Sequence, residues 1–437
     1  MGLFGFGKNK TDNSEAYGQG LLLGRYTDCN KTKKQLDHWD ASVKLFGEKH
    51  YLKAIEEFLF YIKDESQDNV RVSSDSNSLE FKIIQGSKFF SGKVENGVLD
   101  VQGRIAGFTN PPVPVMRKLL SLNYALRYTW CGIKDDNFGI YFTTELENTN
   151  AWKLYSAFRE LALNIDKQDD LLVEEFEGLR AIDTEEIIPL SEHLVRQKVT
   201  YLKQWIGETL EQIQQSDPQK HNGLNSYRLL ALCLRIDYLL SPQGGLMDRI
   251  EKILNIYFNR PQGASDINSQ IIQEFSSIAQ LDDSVCMKNF YNVKATFALA
   301  PPSTYKQVAD FVFEESKTRD YYLKNNEAQH IPVIYEYIAG YNLFYFGMKQ
   351  PLIDVNRFYF RILHSDYFRE MCSQESLYDK TTGKLNRMGI IKEIEEMVKN
   401  NRKNYPGFTF QHSKLNFNSL SEFAISYFAE FDFLNLN

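Results

Sequence analysis

Cysteine is scarce in this chain of 437 residues. Its five cysteines, Cys29, Cys131, Cys233, Cys286 and Cys372, are odd in number, far apart and never in a C-x-x-C pair. That pattern argues against a disulfide framework or a zinc ribbon and points to free thiols in a reducing compartment. The seven histidines, His38, His50, His193, His221, His330, His364 and His412, include no H-E-x-x-H and no pair four residues apart. No metal face is built locally, and only a site assembled from distant residues stays open. Positive charge is in deficit as well: 57 acidic against 50 basic residues give a net charge of −7. With no overall positive field to displace counterions, nucleic acid is not an expected partner.

Long apolar runs are missing, since no window approaches the roughly 18 consecutive apolar residues of a membrane span. The apolar stretch at the start is too short for a signal peptide, its lysines lie on the wrong side, and Phe6 stands where a myristoylation signal has Ser or Thr. Residues 1–33 are therefore expected to be a flexible leader that docks one segment around Leu21-Leu22-Leu23, and the protein is expected in the cytoplasm.

Catalytic motifs are absent too. The glycines of Gly18-x-Gly20-x-x-x-Gly24 have the wrong spacing for a dinucleotide fingerprint. Gly86-Ser87-Lys88 through Gly92-Lys93 resembles a P-loop, but it has one residue too many, Val94 in place of the magnesium-binding hydroxyl, and a hairpin where a helix should follow. A turn between strands fits it better. There is no G-x-S-x-G elbow, and the carboxylates at Glu174, Glu175, Glu177, Asp282 and Asp283 fit exposed helix faces and caps better than an acid/base pair. Neither an enzyme nor a cofactor or metal is expected from these tests.

What the chain has in abundance is aromatic side chains, with 31 Phe and 25 Tyr, and a length beyond the roughly 250–300 residues at which one core stops growing. Two domains are expected. In the first, residues 34–180, apolar positions at three- and four-residue steps predict one helix or two over 34–63. Strand patterns follow near 69–73 (the weakest), 79–85, 88–94 and 98–105, the last two joined through Glu95-Asn96-Gly97. A helix from Val115, a second hairpin turning at Asp135-Asp136-Asn137, and a helix capped by Asn150 complete an α+β unit built on an antiparallel sheet. In the second, residues 187–437, helical periodicity recurs over 190–215, 224–241, 246–259, 267–280, 303–323, 331–348, 351–371 and 386–401, as an irregular bundle or a repeat-like stack. Gly407–Phe417 alternates as a short strand or a hairpin would, and Ser419-x-x-Glu422 opens a last helix.

One stretch stands out. Between Ile334 and Arg369, eleven Tyr and Phe residues crowd two predicted helices together with Arg357, Arg361 and Arg369. Aromatics on every side of a helix mean deep burial first and a partner-binding face second. On the second reading Tyr341, Tyr345, Arg357 and Arg361 are the candidate partner-binding residues, the two arginines one turn apart on one face.

The order helix, three strands, helix, two strands, helix is similar to the fold of type III secretion chaperones and of the YbjN family. The residues that carry the likeness are Phe58-Leu59-Phe60, the hairpin from Lys93 to Val98, the Pro-Val-Met-Arg-Lys-Leu-Leu stretch from 114, and Asn123-Tyr-Ala-Leu-Arg-Tyr-Thr. The resemblance spans about a third of the chain. It implies a small non-enzymatic protein, often dimeric, that holds extended client segments on apolar surface. The expected function is that of a protein-binding adaptor or chaperone-like protein, with protein partners and the option of a homodimer. The alternatives are a structural subunit of a larger assembly, or an enzyme whose site comes from distant residues.

Overall fold

The structure, a computed structural model, describes residues 21–24, 31–64, 67–258, 263–293 and 302–436. Most of the expected leader, residues 1–20 and 25–30 with Cys29, lies outside the described residues. Of the leucine run, Leu21 and Leu23 are buried, and the Gly24 amide donates to the Tyr238 carbonyl at 2.8 Å.

The chain forms two compact units. In the first, the Thr32 hydroxyl and the Gln35 side chain close a capping box that opens α1 (Lys33–Gly47). A break with Lys49 at φ 61° separates it from α2 (Tyr51–Ile62), so residues 33–62 form two helices. Strands β1 (Val70–Ser74), β2 (Leu79–Gln85), β3 (Lys88–Glu95) and β4 (Val98–Phe108) form an antiparallel meander. Helix α3 (Val113–Asn123) leads to the hairpin β5 (Trp130–Lys134) and β6 (Asn137–Glu145). The sheet order is β1-β2-β3-β4-β6-β5, with a two-residue β7 (Leu179–Arg180) on the far part of β4. Both predicted hairpin turns place consecutive residues at positive φ, Asn96 with Gly97 and Asp135 with Asp136, as a two-residue turn between twisted strands requires.

Helix α4 (Ala151–Glu175), opened by the Asn150 side chain accepting from the Lys153 amide at 2.9 Å, covers one face of this sheet. Phe158 is its centre, with ring centroids 5.4–5.5 Å from Phe58, Phe81 and Phe90. A side chain at Gly103 would place its Cβ 2.7 Å from Ile165, so the glycine lets helix and sheet close up.

The second unit is mainly helical. It comprises α5 (Glu192–Gln214), α6 (Asn222–Arg235), α7 (Gly244–Phe258), α8 (Ala264–Ala279), α9 (Asp283–Met287), α10 (Tyr305–Ser316), α11 (Arg319–Lys324), α12 (Ile331–Tyr345), α13 (Gln350–Leu363), α14 (Ser365–Cys372), α15 (Arg387–Asn401) and α16 (Leu420–Ala429). Helix α12 packs against α6, α10, α13 and α16, which is why its aromatic residues face every direction. Where one helix was expected over 303–323 and another over 351–371, the chain breaks each into two. The expected strand within 407–417 is corrected: the segment is irregular, with a 3-10 turn at His412–Lys414. Phe408 and Phe410 are buried as a strand pattern implies, but the Gln411 amide bonds to the Glu430 carboxylate instead of a neighbouring strand, and Leu415 is buried out of that phase. A short strand pair absent from the sequence reading, β8 (Ile187–Ile188) with β9 (Asn292–Val293), brings a later segment back to the first unit. Among the described residues no helix is long and apolar enough to cross a membrane.

Candidate partner-binding surface

The four residues singled out in the sequence part company. Tyr341 and Tyr345, one turn apart on α12, stack with ring centroids 5.1 Å apart, and Phe311 of α10 stacks on Tyr341 at 4.6 Å. Tyr345 is 57 % exposed, and Phe258 and Phe313 are exposed as well. Arg357 and Arg361 are interior residues, and this corrects the expectation that they present a face to a partner. Arg357 Nε donates to the Tyr238 hydroxyl at 2.6 Å, while Arg361 donates to the Glu375 carbonyl and lies 5.5 Å from the Phe368 ring centroid.

A different stretch of the chain, unmarked by any motif, is richer in exposed apolar side chains, although Trp130 and Ile133 point to opposite faces of the sheet. Six of the seventeen large apolar residues exposed among the described residues fall within the short stretch 113–133: Val113, Leu120, Tyr124, Tyr128, Trp130 and Ile133. In α3 the pattern has a simple origin. Val115 and Leu119, four residues apart, are buried, and Leu120 and Tyr124 share an outward face, with Tyr124 96 % exposed.

The backbone beneath this surface is held firmly. The Asn123 side chain accepts from the Cys131 amide at 2.6 Å and donates to the Cys131 carbonyl at 3.3 Å, so one amide stands in for a neighbouring strand on edge strand β5. Glu160 of α4 accepts from the amides of Arg127, Tyr128 and Thr129 at 2.7–2.9 Å. Burial works against the charge on Glu160, but those amides and the Thr129 hydroxyl outweigh it and hold its carboxyl below the ordinary value. The Trp130 ring lies tilted against Tyr141, with centroids 4.7 Å apart. Beside it, on the sheet face turned away from α4, a cavity of about 310 Å³ is lined by Phe89, Ser91, Gln102, Arg104, Lys134, Asp135, Asn137, Tyr141 and Asp183. Arg104 is paired with Asp183 there, leaving Lys134 and Asp135 as the other charged groups of the lining.

The P-loop-like stretch is the expected turn between β2 and β3. Its glycine, Gly86, has φ 57°, and a Cβ there would fall 1.8 Å from the Asp166 carboxylate. The Ser87 amide donates to Asp166 at 2.9 Å, its hydroxyl to Asp169 at 2.9 Å, and Lys88 lies 3.3 Å from Asp169. Burial, with Asp170 nearby, pushes Asp166 up to about 6 and Asp169 well above the usual carboxylate range. Ser87, Lys88 and Asp169 are buried beyond the reach of a substrate, so the cluster serves to pin the hairpin to α4.

A second polar cluster lies inside the helical unit. Glu336 of α12 accepts from two nitrogens of Arg235 at 2.6 and 2.9 Å and from His364 at 2.8 Å, with the Arg235 guanidinium over Trp205. Next to it, residues Ile236–Leu240 form a π-helical turn whose last carbonyl accepts from the buried Lys198 ammonium at 2.7 Å. Burial alone lowers Lys198 to about 7. All these partners are far apart in sequence.

The sequence matches no known family model and no curated protein. The fold and this surface define an α+β unit joined to a mainly helical one.

Proposed function

We propose that this chain is a non-enzymatic protein-binding protein, adaptor or chaperone-like, whose α3 and β5 surface receives an apolar segment of a partner protein in the cytoplasm. The observation that carries the reading is the concentration of Val113, Leu120, Tyr124, Tyr128 and Trp130, all exposed, within a short stretch whose backbone is already fixed by Asn123 and Glu160. Exposed Tyr and Trp on a rigid frame lose little entropy on binding and bury much apolar area. Arg117 and Arg127 are exposed in the same stretch and favour a partner with acidic residues flanking its apolar ones. The four described cysteines are buried thiols, and burial pushes Cys131 up to about 12 and Cys372 up to about 11, which suits a reducing compartment.

The test is a native pull-down with wild type and the double variant Leu120→Asp with Tyr124→Asp, alongside sedimentation of both. We expect the variant to keep the wild-type melting temperature, because both side chains are exposed, and to lose a partner that wild type retains. Dissociation of a wild-type dimer in the variant would identify a second copy of the chain as that partner. Equal retention and an unchanged oligomeric state would overturn the assignment of this surface.

A further inference from the structure

We propose that His221, Glu327 and His330 form a binding site for a divalent first-row transition metal ion, Zn²⁺ being the one their chemistry fits best. His221 stands at the N-cap position of α6 and His330 at that of α12, neither side chain bonding a helix amide, and Glu327 lies one residue before the 3-10 turn that leads into α12. The packing of α6 on α12 brings together ligands that are 106 residues apart, the distributed arrangement that spacing along the chain does not reveal.

One ligand atom from each residue lies within 4.8 Å of the others, and His221 Nε2 is 3.4 Å from Glu327 Oε1. Donors around a tetrahedral ion with bonds near 2.0–2.1 Å stand roughly 3.3 Å apart, so only small side-chain rotations separate this geometry from a coordinating one. Two imidazoles and one carboxylate suit zinc and its neighbours, whereas magnesium and calcium prefer all-oxygen sites. Three protein ligands leave a fourth position for water.

The ion pair already present does not account for the cluster. The Lys220 ammonium bonds to Glu327 Oε1, and His221 faces the same oxygen. Among the described residues Glu327 Oε2 is buried without a hydrogen-bond partner, and a desolvated carboxylate oxygen is costly to leave unsatisfied. The rings of His221 and His330 stand 5.4 Å apart with both backbones anchored, through the Asp217 and Glu327 carbonyls. Lys220 is then a competitor for Glu327 rather than a ligand, and its half-exposed side chain is free to swing into solvent.

The test is calorimetric titration of the chelator-stripped full chain with Zn²⁺. We expect one equivalent to bind with micromolar or tighter affinity. Binding should weaken at least ten-fold in His221→Gln and in His330→Gln and strengthen in Lys220→Met, an effect that a purely structural salt bridge would not produce. Absence of saturable binding by wild type, or undiminished binding by both histidine variants, overturns the proposal. If circular dichroism shows that the histidine variants do not fold, Lys220→Met decides: tighter Zn²⁺ binding supports the site, and unchanged or weaker binding overturns it.

Discussion

Acid should loosen the helical unit through His364. The imidazole is buried, and its Nε2 donates to Glu336 at 2.8 Å while its Nδ1 has no hydrogen-bond partner among the described residues. A proton added at Nδ1 would bury a donor without an acceptor and a second cation beside Arg235. Burial first, and Arg235 second, lower His364 from its ordinary 6.5 to about 4, against the opposing pull of Glu336. Because the folded value is the lower one, the contribution to stability is complete above pH 6.5 and is lost as pH falls from 6.5 towards 4. Between pH 7 and pH 4.5 the loss amounts to about 2.5 kcal/mol. Glu336, also held far below its ordinary 4.5, acts in the same direction but only at lower pH. The assay is urea denaturation followed by far-ultraviolet circular dichroism, for wild type and His364→Gln at steps from pH 7 to 4.5. Glutamine can still donate to Glu336 but cannot titrate, so the difference between the two curves isolates His364. We expect wild type to lose about 2.5 kcal/mol more than the variant over this range. Parallel curves would refute the reasoning.

Three further outcomes are expected. Lys198→Met should match or exceed wild type in stability at pH 7, since the lysine is held at about 7 by burial; wild type should gain about 3 kcal/mol on the variant between pH 7 and 9.5, as the unfolded-state lysine approaches its ordinary 10.5. Gly86→Ala should cost about 2–4 kcal/mol in chemical denaturation, from its positive φ together with the collision with Asp166; a change below about 0.5 kcal/mol would contradict this packing. Arg357→Ala should cost about 2–3 kcal/mol by removing the charged hydrogen bond to Tyr238, and an unchanged melting temperature would return that arginine to the surface.

The parts of the fold that were legible in the sequence are those set by neighbours along the chain. Asn96-Gly97 and Asp135-Asp136 announce hairpins because a two-residue turn needs positive φ at both positions. Asn150 and Ser419 announce helix starts because their side chains satisfy amides three residues on. Tertiary partners left no such local trace. Arg357 and Arg361 have the composition of a binding face, yet Tyr238 and Glu375, which draw them inward, are not foreseeable from the periodicity of α13. The 407–417 segment shows the converse: its alternation records which residues are buried, but a strand also needs a neighbour, and Glu430 takes that place at Gln411. The α3 and β5 surface was open to reading from the apolar residues left over once Val115 and Leu119 are assigned to the core. His221, Glu327 and His330 carried no signal at all, since their proximity depends on α6 meeting α12.

The interleaving of the two units has a bearing on how the chain is made. Strand β8 ends at Ile188, but its partner β9 begins at Asn292, and the Gly24 amide bonds to a carbonyl at Tyr238. At typical translation rates of about 5–20 residues per second, β8 waits roughly 5–20 s on the ribosome before β9 is synthesised. Gly24, among the first of the described residues to emerge, waits longer still for Tyr238. Neither unit can therefore be completed in strict order from the N-terminus. A gene cut after residue 188 would yield a first unit lacking β9 and a second unit deprived of Leu23 and Gly24.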